Sequence, residues 1–109
     1  MQHTIALDGT VHTVDAIEPA PGLRVYKHPH LDYGIGTYPV VLGHHSGRSI
    51  AHMECTADAI DAGRDLGEMT DWTRPADEIN ADEALAERVH AYLEPRNAVD
   101  TALRYTSAA

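Results

Sequence analysis

The fold is decided by Tyr38-Pro39-Val40-Val41-Leu42-Gly43-His44-His45-Ser46-Gly47-Arg48-Ser49-Ile50-Ala51-His52-Met53-Glu54 and the helical pattern that starts at Thr56 and runs toward Trp72. Two apolar runs flank a Ser46-Gly47 turn, which reads as a β-hairpin. With a two-residue turn, His45 faces Arg48. Val40, Leu42, His44, Ser49, Ala51, Met53 and Cys55 then share the core face. Val41, Gly43, His45, Arg48, Ile50, His52 and Glu54 share the other. A three-residue bulged turn would swap the faces of the second strand. The helix follows with almost no loop. Thr56 is the expected N-cap and Asp58 favours the helix dipole. Ala59, Ala62, Gly63, Leu66 and Met69 recur at helical spacing and should lie on the sheet. Gly67 is the expected C′ residue. Trp72, the single tryptophan, is placed to close the end of the core.

Outward from this unit, Thr4 to Ile17 reads as an earlier hairpin turning at Asp8-Gly9, a pair suited to positive φ. Leu7 should oppose Thr10 and Ile5 oppose His12, with Ile5, Leu7 and Val14 on one face. Pro19-Ala20-Pro21-Gly22 ends it. Leu23 to His28 reads as a third strand broken by Pro29. Its Leu23, Val25 and Lys27 point one way, and Arg24, Tyr26 and His28 the other. His30 to Thr37 reads as a loop around Gly34-Ile35-Gly36. Beyond Trp72, a second helix is expected with Asn80 as N-cap, Glu83 at N3, and Ile79 and Ala84 in staple positions. Leu85, Val89, Tyr92 and Leu93 form its apolar stripe. Asp82, Glu83 and Glu87 should be solvated. Pro95 ends it, and Asn97 is expected to cap a short last helix with Val99, Ala102 and Leu103 inward. The expected class is α+β: an antiparallel sheet of about four to five strands, from two hairpins plus a short strand, packed by two to three C-terminal helices.

Composition bounds the rest. A chain of 109 residues is one domain, with residues 1–55 a β half and 56–109 a helical half. Leu, Ile and Val together number 21 and Phe is absent, so the core is thin. A homodimer or another partner is the expected means of completing the burial. Net charge is −9, and it is uneven. Residues 1–52 carry four acids, three bases and seven of the eight histidines; residues 53–109 carry thirteen acids and five bases. Such acidity opposes phosphate-backbone binding and favours basic partners. Cys55, the single cysteine, precludes an intrachain disulfide. No apolar run approaches the ~20 residues of a membrane span. Met1-Gln2-His3-Thr4 lacks a signal-peptide pattern, so a cytoplasmic location is expected.

Candidate chemistry is sparse. His28 and His30 are ~7 Å apart along a strand, whereas His45 and His52 are ~13 Å apart in the expected register, too far to share an ion. Surface and packing roles are therefore expected for the histidines, with no metal and no cofactor. Gly43-His44-His45-Ser46-Gly47 is not a nucleophile elbow, since it sits on a hairpin turn. Cys55 should be buried and inert beside Met53. Gly34-Ile35-Gly36 lacks the helix and Lys of a phosphate cradle.

From Val40 to Trp72, the strand, His45-Ser46-Gly47, strand, alanine-rich helix and Asp71-Trp72-Thr73 together resemble small uncharacterised proteins of actinobacteria and their phages. The resemblance covers about a third of the chain and implies a β-β-α unit with no activity to carry over. The leading functional expectation is a non-enzymatic accessory protein of a phage or mobile element. It would bind and modulate a host protein, including one that normally binds nucleic acid, through Asp58, Asp61, Asp65, Glu68, Asp82, Glu83 and Glu87. A second reading is a DNA- or RNA-binding regulator using Arg24, Lys27, His45, Arg48 and His52 on the sheet. A third is a metal-dependent module built on His28, His30, His45 and His52.

Overall fold

The computed structural model describes residues 1–7, 9–29, 38–96 and 98–100, without the side chains of Leu7, Val99 and Asp100. The class is α+β. Strands β1 (Gln2–Leu7), β2 (Thr10–Asp15), β3 (Leu23–Lys27), β4 (Val40–His44) and β5 (Ser49–Met53) precede helices α1 (Thr56–Gly67), α2 (Ala76–Asn80) and α3 (Glu83–Leu93). A 3₁₀ turn, Glu94–Arg96, leads to β6 (Val99–Asp100).

The strands form two antiparallel sheets where one was expected. β1 and β2 pair alone, and β3-β4-β5-β6 make the second sheet. The alternation of β3 and β4 explains the layering. Leu23, Val25, Val40 and Leu42 enter the large core under the helices, with Ala59, Ala62, Leu66, Trp72, Ile79, Leu85, Val89 and Leu93. Tyr26 and Val41, on the opposite face, are buried with Ile5 and Ala16 of the first hairpin. Both faces of the larger sheet are therefore covered. The hairpin is tied down where Ile17 and Val25 exchange backbone hydrogen bonds of 2.8 Å each.

The first hairpin has the expected register, with Leu7 opposite Thr10 and Ile5 opposite His12. Gly9 has φ +79°; Asp8 lies outside the described residues. The central hairpin departs from expectation twice. Gly47 has φ +96° and its N–H donates to the His44 carbonyl, while the His44 N–H donates to Arg48. This is a three-residue loop with a glycine bulge, in which a left-handed residue is cheapest as Gly. Gly43 consequently pairs with Ser49, but Leu42 pairs with Ala51. Ile50 is the extra residue, a second bulge that restores the expected pairs Val41–His52 and Val40–Met53. Ile50 thereby joins the helix-side core. Ser49, opposite Gly43, leaves the face assigned to it.

Helix α1 buries Ala59, Ala62, Gly63 and Leu66 as the spacing predicts. Its N-cap is Cys55 rather than Thr56, with no side-chain hydrogen bond. Cys55 is exposed, because β5 ends at Met53 and strand alternation no longer governs its direction. Gly67 is the last helical residue and does not adopt positive φ. Its value is space: a Cβ at Gly67 would lie 2.4 Å from Ala20 Cβ, and one at Gly63 would lie 2.4 Å from Pro19 Cγ. The Pro19-Ala20 turn thus rests on the glycine face of α1.

The second helix also differs. Asn80 ends the one-turn α2, and Asp82 caps α3 by accepting from the Leu85 N–H at 3.0 Å. Asp82 is half-buried in that role. Leu85, Val89 and Leu93 are buried and Tyr92 is half-buried, as the stripe predicts. Val99–Asp100 pair with β5 where the expected terminal helix was to begin, so among the described residues a strand follows the helices. Asn97, Ala102 and Leu103 lie outside the described residues. No described helix is long and apolar enough to cross a membrane.

Gly22 joins these parts. It has φ +87°, and a Cβ there would fall 2.3 Å from the Trp72 carbonyl oxygen. Gly9 has similar φ but open space around it. Gly9→Ala should cost only the left-handed term of about 1–2 kcal/mol. Gly22→Ala should lose a further 1–3 kcal/mol, on the order of an overpacked core site. Urea unfolding of the two variants checks this; equal losses would show that Trp72 does not press on Gly22.

Candidate functional site

The histidines of the central hairpin clamp the chain after Trp72. His44 is fully buried at the end of β4. Its Nε2 lies 3.0 Å from the Arg74 carbonyl oxygen, and its Nδ1 lies 2.8 Å from Ser46 Oγ and 3.1 Å from the Ser46 backbone nitrogen. A carbonyl only accepts, so Nε2 carries the proton and Nδ1 is the acceptor. His45 Nε2 donates to the carbonyls of Thr73, at 3.0 Å, and Arg74, at 3.2 Å. The two rings lie 4.1 Å apart. Trp72 is buried and donates its indole N–H to the Leu66 carbonyl at 2.6 Å. Asp71 Oδ1 accepts from the Thr73 N–H and hydroxyl, which hold its carboxyl below the usual range.

Ser46, His44 and the Arg74 carbonyl stand in the order of nucleophile, base and orienting group. Burial, with the neighbouring His45, pushes His44 down to about 4. A general base serves best near neutrality, so this imidazole is poorly matched to the task. The constellation is that of a turn latch.

The predicted basic set on the sheet is dispersed. Arg24 is ion-paired with Glu18 at 2.5 Å and Arg48 with Asp77 at 3.6 Å. Lys27 is exposed, on the strand face opposite to Arg24. His45 is engaged by the Thr73-Arg74 backbone. His52 is half-buried, its ring 6.0 Å from that of His28. His30 and Gly34-Ile35-Gly36 lie outside the described residues. Among the described residues, no three His, Cys, Asp or Glu side chains converge as a metal site would require. One buried imidazole went unread in the sequence: His3, against Tyr26 at 5.4 Å with Nε2 unpartnered. Its position two residues before Ile5 on one strand face was the available signal. Burial, and then Arg24 and His45, lower its pKa.

The predicted acidic set divides differently. Asp58, Asp61 and Asp65 are exposed on α1, Glu68 is exposed at its C-cap, and Glu83 and Glu87 are exposed on α3. Asp61 lies 3.9 Å from Arg64. Asp65 accepts the Tyr92 hydroxyl, and Arg96 stacks 3.6 Å over the Tyr92 ring. Burial, and then Asp65, push the Tyr92 phenol up to about 12. Met53, Asp58, Asp61, Asp65, Tyr92 and Arg96 line a cleft of about 360 Å³ between α1 and the end of α3. Asp82 caps α3 and lies 3.9 Å from Arg74. Asp58, Glu68, Glu83 and Glu87 make no ion pair among the described residues.

Comparison with protein-family models, with curated proteins and with solved structures found no match.

The latch makes stability depend on pH. A histidine whose folded pKa lies below 6.5 stabilises fully above 6.5, and this contribution is lost as pH falls toward the folded value. For His44 the window runs from 6.5 to about 4. At about 1.4 kcal/mol per unit the loss is on the order of 3 kcal/mol. Urea unfolding across this range should show it, with a smaller slope in His44→Gln. An equal slope in both would remove His44 as the cause.

Proposed function

We propose that this chain is a non-enzymatic acidic interaction module that binds a basic surface of another protein through the outer faces of α1 and α3. One observation carries the reading: Asp58, Glu68, Glu83 and Glu87 project from the helical side without compensating cations among the described residues. Among the described residues the arginines are occupied. Arg24, Arg48, Arg64 and Arg74 lie in ion pairs, Arg88 contacts the Met69 carbonyl, and Arg96 covers Tyr92. A field of one sign steers a partner of the opposite sign and supplies on-rate and specificity. Carboxylates spaced along two helices offer a nucleic-acid-binding protein what phosphates offer it. The partner class we favour is therefore a basic host protein of that kind. The sheet reading has less support, because Arg24 and Arg48 are paired and the first hairpin covers the face between them.

The test is capture from an actinobacterial lysate at low and high salt, followed by identification of the retained protein. One dominant basic protein should be retained at low salt and released near 1 M salt, where screening acts within ~3 Å. At about 0.5 kcal/mol per exposed charge, the combined Asp58→Asn, Glu68→Gln, Glu83→Gln and Glu87→Gln variant should bind roughly 30-fold more weakly. Retention indifferent to salt and to these substitutions would overturn the reading.

A further inference from the structure

We propose that the hairpin β1-β2 is an acid-released cover over the sheet face opposite the helices, with His3 as its trigger. A two-stranded hairpin is marginal alone in water, so β1-β2 keeps its place by docking. Among the described residues, the docking cluster has four buried members, Ile5, Ala16, Tyr26 and Val41, with Val14 packed against them. Sixteen form the core on the helix side of the sheet. The backbone tie to β3 is the isolated pair Ile17–Val25. A unit with so few buried apolar contacts opens at a lower free energy than the core that carries it. Its release uncovers Tyr26 and Val41 while the helix-side core stays closed.

His3 stands inside this small interface. It is 6% exposed, and its ring lies 5.4 Å from that of Tyr26. Its Nε2 is buried with no hydrogen-bond partner, an uncommon state for a buried polar atom. A neutral ring forfeits one hydrogen bond there. An imidazolium would place a charged N–H in the same closed space, at a much larger cost. The neighbours give that charge no relief. From β3 come Arg24, held by Glu18 at 2.5 Å, and Tyr26, whose burial raises its phenol and keeps it uncharged. From the turn after β4 come His45, bound to Thr73 and Arg74, and Arg48, paired with Asp77 at 3.6 Å. His28 and His52 share the sheet face by alternation. Within the hairpin, His12 lies opposite Ile5 and so on the face of His3, the Met1 ammonium is bound to the Ala16 carbonyl, and Asp15 lies opposite Gln2 on the outer face. Burial, and then Arg24 and His45, hold the docked His3 below its ordinary 6.5. Release returns it to about 6.5. Docking is therefore strongest above 6.5 and weakens as pH falls toward the docked value.

The experiment is amide hydrogen exchange of the full chain across the range below neutrality, read as protection factors, together with ¹H–¹⁵N spectra of the imidazoles. The cross-strand amides of β1-β2 should be less protected than those of Leu42 and Leu66 at every pH. Their protection should fall by up to about tenfold per pH unit below 6.5, the limit for one proton. That dependence should vanish in His3→Leu and persist in His44→Gln, which separates release of the hairpin from loss of the latch. In the unsubstituted chain, the His3 ring should titrate below 6.5 in step with the hairpin amide shifts, a readout that does not depend on how any variant folds. Hairpin protection equal to that of the core, a dependence kept in His3→Leu or lost in His44→Gln, or a His3 ring titrating at 6.5 or above would each overturn the device.

Discussion

The segment from Trp72 to Arg74 is held from three sides, and the rest of the structure depends on that grip. Gly22 admits the Trp72 carbonyl at a distance that no side chain would tolerate. The indole closes the large core and binds back to the end of α1. His44 and His45 take the carbonyls of Thr73 and Arg74, so these acceptors are satisfied by imidazole N–H groups. The segment carries the chain from α1 to α2, so its anchoring sets where α2 and α3 lie on the sheet. A thin core with no Phe gains much from such a polar latch, since one or two kcal/mol is a large share of the stability of a small domain.

The latch also separates two chemical environments. On one side of the sheet lie the hairpin β1-β2 and the imidazoles His3 and His52, whose pKa values are lowered first by burial. On the other lie helices whose outer faces are acidic. Most of the arginines stand in ion pairs within the fold, and pairs of this exposure contribute little stability individually. Their effect is rather to leave the unpaired carboxylates of α1 and α3 as the dominant field on that side. The proposed interaction role draws its support from this arrangement. It does not follow from net charge alone, which solubility would also explain.

Much of the architecture was legible in the residues. Gly9 marked the turn of the first hairpin, and the spacing of Ala59, Ala62, Gly63 and Leu66 marked the buried face of α1. The central hairpin was legible only in part. Its three-residue turn shifts the register by one and the bulge at Ile50 shifts it back, so Val40, Leu42, Ala51 and Met53 fell where simple pairing put them. Ser49 and Ile50 did not. Alternation along β3 showed two faces but could not say what would cover the second, and so the separate hairpin layer was missed. Asn80 and Asp82 are both good capping residues; in the fold Asn80 closes α2 and Asp82 accepts from the Leu85 N–H. The acidic residues were readily found as a group, but Asp82 as a cap and Asp65 as the partner of Tyr92 could be separated from the rest only in three dimensions. The latch was missed because its donors and acceptors lie about thirty positions apart, and the acceptors are backbone carbonyls that no sequence pattern marks.

The tautomer of His44 is the property on which the latch depends most directly. Long-range ¹H–¹⁵N spectroscopy of the imidazoles at neutral pH reads it in one experiment. The latch predicts a neutral His44 ring with its proton on Nε2, bonded to the Arg74 carbonyl, and Nδ1 in its acceptor state. A ring protonated on Nδ1, or one carrying both protons at neutral pH, would contradict it.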